Sequence, residues 1–160
     1  TLASFFSESI KGMNDMLVMA ILMVLAFALG ALCKELGTGI YVAQVTSYWL
    51  SPGMAPFVLF ITSCFVAFST GTSWGTFAIM ISIVVPLIDT MGLHHYLSLA
   101  AVLGGGVFGD HCSPISDTTL IASVATKSNH IDHIKTQLPY ALFTGGLAGL
   151  LYLIAGFLFT

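Results

Sequence analysis

The chain has 160 residues, 57% of them hydrophobic and 7% charged, with a mean hydropathy of +0.99 and a formal net charge of −3. Soluble domains carry about 25% charged residues, so this chain cannot cover a water-facing surface and its solvent is the bilayer. Four lysines and no arginine exclude a nucleic-acid binder, which needs a basic face, and three scattered cysteines with no CxxC exclude a disulfide framework or a zinc knuckle.

In chain order, the sequence starts at Thr1 with no initiator Met and no leader, and reads as part of a longer protein. Residues 13–36 read as a spanning helix. Within them residues 16–33 are uncharged and cover about 27 Å at 1.5 Å per residue, close to the hydrocarbon thickness of about 30 Å. Glu35 beside Lys34 anchors its end at the interface. Residues 38–50 are half-polar, carry Tyr41, Tyr48 and Trp49 as belt aromatics, and are expected to lie along the membrane surface.

Residues 54–90 are apolar on either side of TGTSWGT (70–76) and close at Asp89. As one straight helix, the stretch from Pro56 to Thr90 would be about 52 Å long, too long for one span, whereas each apolar arm of about 20 Å passes mid-membrane without crossing. The expectation is a re-entrant helical hairpin whose tip, residues 71–75, is surrounded by protein or by a water-filled cavity. His94 and His95 follow at a segment end and are placed at the interface.

Residues 95–126 are apolar except for GDHCSPISDTT (109–119). Removing about eight non-helical residues leaves about 33 Å of helix, which suits one discontinuous spanning helix opened at Pro114, with Gly104, Gly105, Gly106 and Gly109 softening the approach. Treating the stretch as an aqueous loop between two short helices would strand residues 120–125, which are too few to cross. Residues 127–135 form an aqueous loop. Residues 136–160 are a last spanning helix, with Gly145 and Gly149 as a packing face. A hairpin that returns to its own side puts Lys11, Lys127 and Lys135 on one face, which is then cytoplasmic.

Each ionisable residue at helix-centre depth costs about 2.5–3.5 kcal/mol, so Asp110, His111 and Asp117 should face a cavity rather than lipid. In an intact helix Asp110 and Asp117 would stand about 10.5 Å apart along the axis, too far for one ion to touch both. Unwinding shortens that gap, frees carbonyls and turns two helix ends toward it. Ser113, Ser116, Thr118 and Thr119 then add hydroxyls to an oxygen set that suits a small hard cation. At the hairpin tip Thr70, Gly71, Thr72, Ser73 and Thr76 form a second cluster. Hydroxyls that only back-bond to their own helix are the competing reading there. A hairpin tip meeting a broken helix is the arrangement in which transporters bind substrate at the midplane. Asp110, His111 and Cys112 hold the residue types of a thiol triad, but three consecutive side chains diverge, so no enzyme is expected.

GTSWGTFAIMISIVVP (71–86) followed by FGDHCSPISDTTLIAS (108–123) resembles the NhaC-type Na+/H+ antiporter family, over roughly residue 54 to the end of the chain. The resemblance implies an all-α membrane protein forming one half of an inverted-repeat transporter, a single transmembrane domain over 1–160. It implies secondary active antiport of sodium against protons, in some relatives with malate or lactate exchanged as well. The implied home is the bacterial cytoplasmic membrane. The implied partners are the lipid bilayer, a missing N-terminal half and a second copy in a homodimer, with no cofactor beyond the transported ions. Low dielectric disfavours a carboxylate's charged form, so sodium and a proton would compete for one acid. Asp117 is the preferred sodium ligand, with Asp110 the second, and Asp110 with His111 is the relay or gate. A cation channel or pore subunit is the alternative reading, and a structural subunit of a larger complex is a third.

Overall fold

The computed structural model describes residues 2–159; some side chains in the first two helices, Lys34 among them, and that of Val124 lie outside this description. Thr1 and Thr160, the ends of the single-domain reading and of the last predicted span, also lie outside it. Among the described residues every regular element is helical: α1 (Leu2–Glu35), α2 (Thr38–Ser47), a 3-10 turn (Pro52–Met54), α3 (Ala55–Thr70), α4 (Ser73–Met91), α5 (His95–Cys112), α6 (Asp117–Thr126) and α7 (His130–Leu158).

Two boundaries differ from the sequence reading for local reasons. α1 starts at Leu2 rather than residue 13, and its first turns carry a Glu8–Lys11 pair at 3.8 Å, spaced to sit on one helical face. α7 starts at His130, because the Asn129 side chain accepts from the Ile131 and Asp132 N–H groups at 3.0 and 3.4 Å and caps it. The expected aqueous loop over 127–135 therefore shrinks to three residues, 127–129.

The arms of the hairpin are longer than expected. Pro52–Thr70 and Ser73–Met91 are apolar runs of 19 residues each, and with His130–Leu158 they are long and apolar enough to cross a membrane. Each arm measures about 28 Å, so the short-arm argument for re-entry does not hold. The difference arises at both ends. Pro52 opens the first arm, where a missing N–H leaves no bond unmade, and Ser73 to Thr76 are already helical.

Small residues set how the helices meet. A Cβ on Gly105 would collide with the Phe60 carbonyl and Ser63, and one on Gly109 with the Cys64 carbonyl and Ala67. Ser113 reaches Phe68. Residue numbers climb together on both helices, so α3 and α5 run in parallel and nearly backbone to backbone. The glycines expected to loosen α5 instead lie in unbroken helix: Gly104 faces Tyr152 and Gly106 faces Phe77. α7 runs antiparallel to both, with Gly145 against Phe108, Gly149 against Phe57 and Phe60, and Gly156 against the Gly53 carbonyl. Phe60, Val84, Ile88 and Val102 fill the centre, and α1 and α2 pack on α4. Outer faces stay apolar: Phe65 is 73% and Phe143 76% exposed. Such a surface needs lipid or further protein around it.

Candidate functional site

The parallel packing of α3 and α5 brings the two chain breaks side by side. α3 ends at Gly71, which takes a left-handed conformation (φ 68°), and a Cβ there would meet the Ile115 carbonyl oxygen at 2.6 Å. Only glycine allows the tip to approach this closely. α5 stops at Cys112, and Pro114, which has no N–H to continue the helix, sits in the four-residue gap before α6. The Ser113 hydroxyl donates to the Phe68 carbonyl at 2.8 Å and accepts from the Ile115 N–H at 3.3 Å. The Asp117 N–H donates to the Gly71 carbonyl at 3.3 Å. Tip and gap are thus joined through backbone groups that both breaks leave free.

Asp110, one turn before the gap, is 2% exposed. Its Oδ1 accepts from the Ser116 hydroxyl at 2.7 Å, and its Oδ2 from the Thr118 hydroxyl at 3.1 Å. The two hydroxyl oxygens are themselves 2.8 Å apart, which closes a three-membered ring of contacts. Ser116 also accepts from the Thr119 N–H at 3.3 Å and so caps α6. Thr119 adds a buried hydroxyl oxygen without a partner among the described residues. Among the described residues no ion pair reaches Asp110: those present are Glu8–Lys11 and Asp89–His95, the latter at the opposite end of α5.

The other predicted residues fall elsewhere. Asp117 is half-buried in the first turn of α6, and its carboxylate has no hydrogen bond among the described residues; Thr118, expected within its reach, is bonded to Asp110 instead. The His111 ring does not meet Asp110. Its Nδ1 lies 2.9 Å from the Val107 carbonyl, and the side chain lines a cavity of about 710 Å³ between α5 and α7 with Gln137, Tyr140 and Thr144. At the tip, the Thr70 hydroxyl donates to the Val66 carbonyl at 2.9 Å and that of Thr76 to the Thr72 carbonyl at 2.9 Å. Thr72 and Ser73 are half-buried.

Sequence reasoning missed three residues at the joined breaks, His130, Ser123 and Gln137. His130 had been placed in water, yet its ring touches Ser123 and the Pro114 carbonyl. Gln137, at the start of the last predicted span, donates to the His111 carbonyl at 3.2 Å. The one available signal was the polarity of Ser123 inside an apolar run.

Comparison with known proteins gives a consistent picture. The family model described as Na+/H+ antiporter family matches residues 2–157. An uncharacterised protein of Haemophilus influenzae is 38% identical over 152 residues, which is 94% of this chain and 29% of that protein. The malate-2H(+)/Na(+)-lactate antiporter of Bacillus subtilis is 26% identical over 134 residues, 74% of this chain and 29% of the antiporter. An arginine/ornithine antiporter of Halobacterium salinarum is 26% identical over 155 residues, 94% of this chain and 32% of its own length. The chain thus spans about three-tenths of the length of these relatives. No solved structure matches.

Proposed function

We propose, on the premise that this chain belongs to the Na+/H+ antiporter family, that it carries the cation site of a secondary antiporter and that Asp110 is the group for which sodium and protons compete. The observation that carries this reading is the ring at Asp110. It has three contacts, at 2.7, 3.1 and 2.8 Å, and each needs one proton. The hydroxyls of Ser116 and Thr118 bring one proton each. The third proton is the carboxyl's own. A neutral Asp110 completes the ring when its own O–H donates to the Thr118 oxygen, reversing that contact, so that Thr118 donates to Ser116 and Ser116 to Oδ1, with no buried charge left unpaired.

Once ionised, Asp110 is an acid without a counter-ion, and two oxygens face each other with no proton between them. Leaving a carboxylate in that state costs several kcal/mol. A small hard cation removes both penalties, drawing on the carboxylate, the Ser116 and Thr118 hydroxyls and the orphaned Thr119 hydroxyl. Proton and cation satisfy the same requirement, so one excludes the other. That exclusion is the coupling of an antiporter.

The same reading keeps residues 54–90 as a re-entrant hairpin and residues 95–126 as a discontinuous helix. Backbone groups freed at both breaks need protein or water around them within the slab, and the contacts between Gly71, Ile115 and Asp117 support it. Organic solutes in the relatives' names, malate with lactate and arginine with ornithine, differ from one another.

The test is sodium-driven proton flux in proteoliposomes of the intact protein. Asp110→Asn should abolish it and Asp117→Asn should reduce it less. Unchanged coupling in Asp110→Asn would remove Asp110 from the role.

A further inference from the structure

We propose that His130 is a positioning residue that braces the opened segment, and that the brace is complete only when its imidazole carries both protons. The functional side of this proposal rests on the reading of Asp110 above; the brace itself does not. His130 opens α7, and its Nε2 lies 2.9 Å from the Pro114 carbonyl, which can only accept. Nε2 therefore holds a proton. Nδ1 lies 2.8 Å from the Ser123 hydroxyl oxygen. That hydroxyl also lies 2.5 Å from the Thr119 carbonyl and 3.2 Å from that of Leu120, both acceptors, and it has one proton to give. With that proton committed to the carbonyls, the contact to His130 is filled only by a proton on Nδ1.

A neutral imidazole must drop one of these bonds. If Nε2 keeps its proton, Ser123 turns to Nδ1 and releases the Thr119 carbonyl. If Nδ1 keeps it, a lone pair faces the Pro114 carbonyl. Pro114 lies two residues before Ser116, and Thr119 follows Thr118, so either loss loosens the backbone carrying the Asp110 ring.

The charged and titratable groups near His130 on the neighbouring elements are Asp132, His133 and Lys135 on α7, Lys127 on the connecting loop, Asp117 on α6, and Asp110, His111 and Cys112 on α5. None makes an ion pair with His130 among the described residues, and α3 brings no charged side chain. Acidification thus tightens the brace, and in a segment that must move for exchange, a tighter brace slows transport.

Two measurements on the intact protein test this. Amide hydrogen exchange over residues 115–119, corrected for the intrinsic effect of pH, should show about threefold greater protection at about pH 5.5 than at about pH 8. His130→Gln should remove that ratio; Gln can donate to Pro114 and accept from Ser123 but cannot donate to both. Ser123→Ala leaves the imidazole in place, should also reduce the ratio, and decides the matter if His130→Gln fails to fold. A wild-type ratio near one, or a ratio unchanged in the variants, overturns the brace. In proteoliposomes, His130→Gln should keep the maximal exchange rate within about threefold and flatten the acid limb of its pH profile. An unchanged profile beside lost protection overturns the positioning role. Wild-type protein that shows the protection ratio but no sodium-dependent proton flux would instead refute the Asp110 reading and leave the brace standing.

Discussion

Around Gly71 the chain offers Thr70, Thr72, Ser73 and Thr76; around Pro114 it offers Ser113, Ser116, Thr118 and Thr119. Both sets sit where an apolar helix stops, and in composition they are near twins. In space they differ. The hydroxyls of Thr70 and Thr76 close onto carbonyls of their own helical turns, with only long contacts of 3.4 and 3.5 Å across the tip, whereas Ser116 and Thr118 reach across the gap to Asp110 at 2.7 and 3.1 Å. Hydroxyls with a carbonyl four residues back satisfy themselves. Hydroxyls at a helix start have no such carbonyl and turn to whatever acceptor is near, and α5 places a carboxylate there. The tip therefore closes largely on itself, whereas the gap gathers its hydroxyls at a buried carboxylate, and backbone contacts dock the two.

The sharpest test of that division is Asp110→Asn. It keeps the size of the side chain and removes its charge, and sodium-dependent proton flux should fall by at least about 100-fold, equivalent to about 2.8 kcal/mol. Residual coupling near the wild-type level would mean that the gap is only structural too. The next largest effect belongs to the tip. Gly71→Ala combines a left-handed backbone, about 1–2 kcal/mol, with overlap on the Ile115 carbonyl, about 1–3 kcal/mol more. Gly92→Ala is the internal control: its φ of 64° carries the same backbone penalty with open space around the new Cβ. Unfolding in detergent should separate the two variants by the overlap alone, and equal losses would show that the tip does not press on the gap.

Ser116→Ala should come third. It removes the cap of α6, about 1 kcal/mol, and a hydrogen bond to a carboxylate, about 1.5–3 kcal/mol. Apparent sodium affinity should fall by about tenfold or more, the factor for about 1.4 kcal/mol. In an Asp110→Asn background the further effect should shrink to the capping loss, because the charged acceptor is already gone. A fully additive pair would mean that Ser116 acts on stability and not through Asp110.

Much of this architecture could be read before folding. Eighteen uncharged residues in a row, GTSWGT and GDHCSPISDTT speak directly in an α-helical membrane chain, because charge, glycine and proline act locally. The family assignment rests on those same stretches and on most of the chain. What stayed hidden depends on how the two breaks dock. Asp117, C-terminal to the break, reads in sequence as within reach of the Thr118 and Thr119 hydroxyls; a helix directs neighbouring side chains apart, and Thr118 bonds the acid eight residues earlier. Gly105 and Gly109 read as softeners of a helix; only the parallel course of α3, set by the hairpin, makes them its contact face. His130 is sixteen residues from Pro114 along the chain, and no periodicity links them.

The smallest effect is also the most discriminating, because one substitution can be made in both regions. Thr→Val keeps the branched shape and replaces the hydroxyl with a methyl. At Thr76, which is fully buried, the lost bond runs to the Thr72 carbonyl. That carbonyl keeps its helical N–H partner, so the cost should stay within about 1 kcal/mol and transport should remain within about twofold. Thr118 is exposed enough to accept a methyl without repacking, so the stability cost of Thr118→Val should be the lost hydrogen bond to Asp110 alone, about 1–3 kcal/mol. Its hydroxyl, however, is one side of the ring at Asp110. Without it the neutral acid loses an acceptor and the cation loses a ligand, so both competing states weaken while the competition itself survives. The expected result is a several-fold weaker apparent sodium affinity with the exchange ratio of sodium to protons intact. If Thr76→Val produced that signature and Thr118→Val did not, the roles assigned to the two breaks would have to be exchanged.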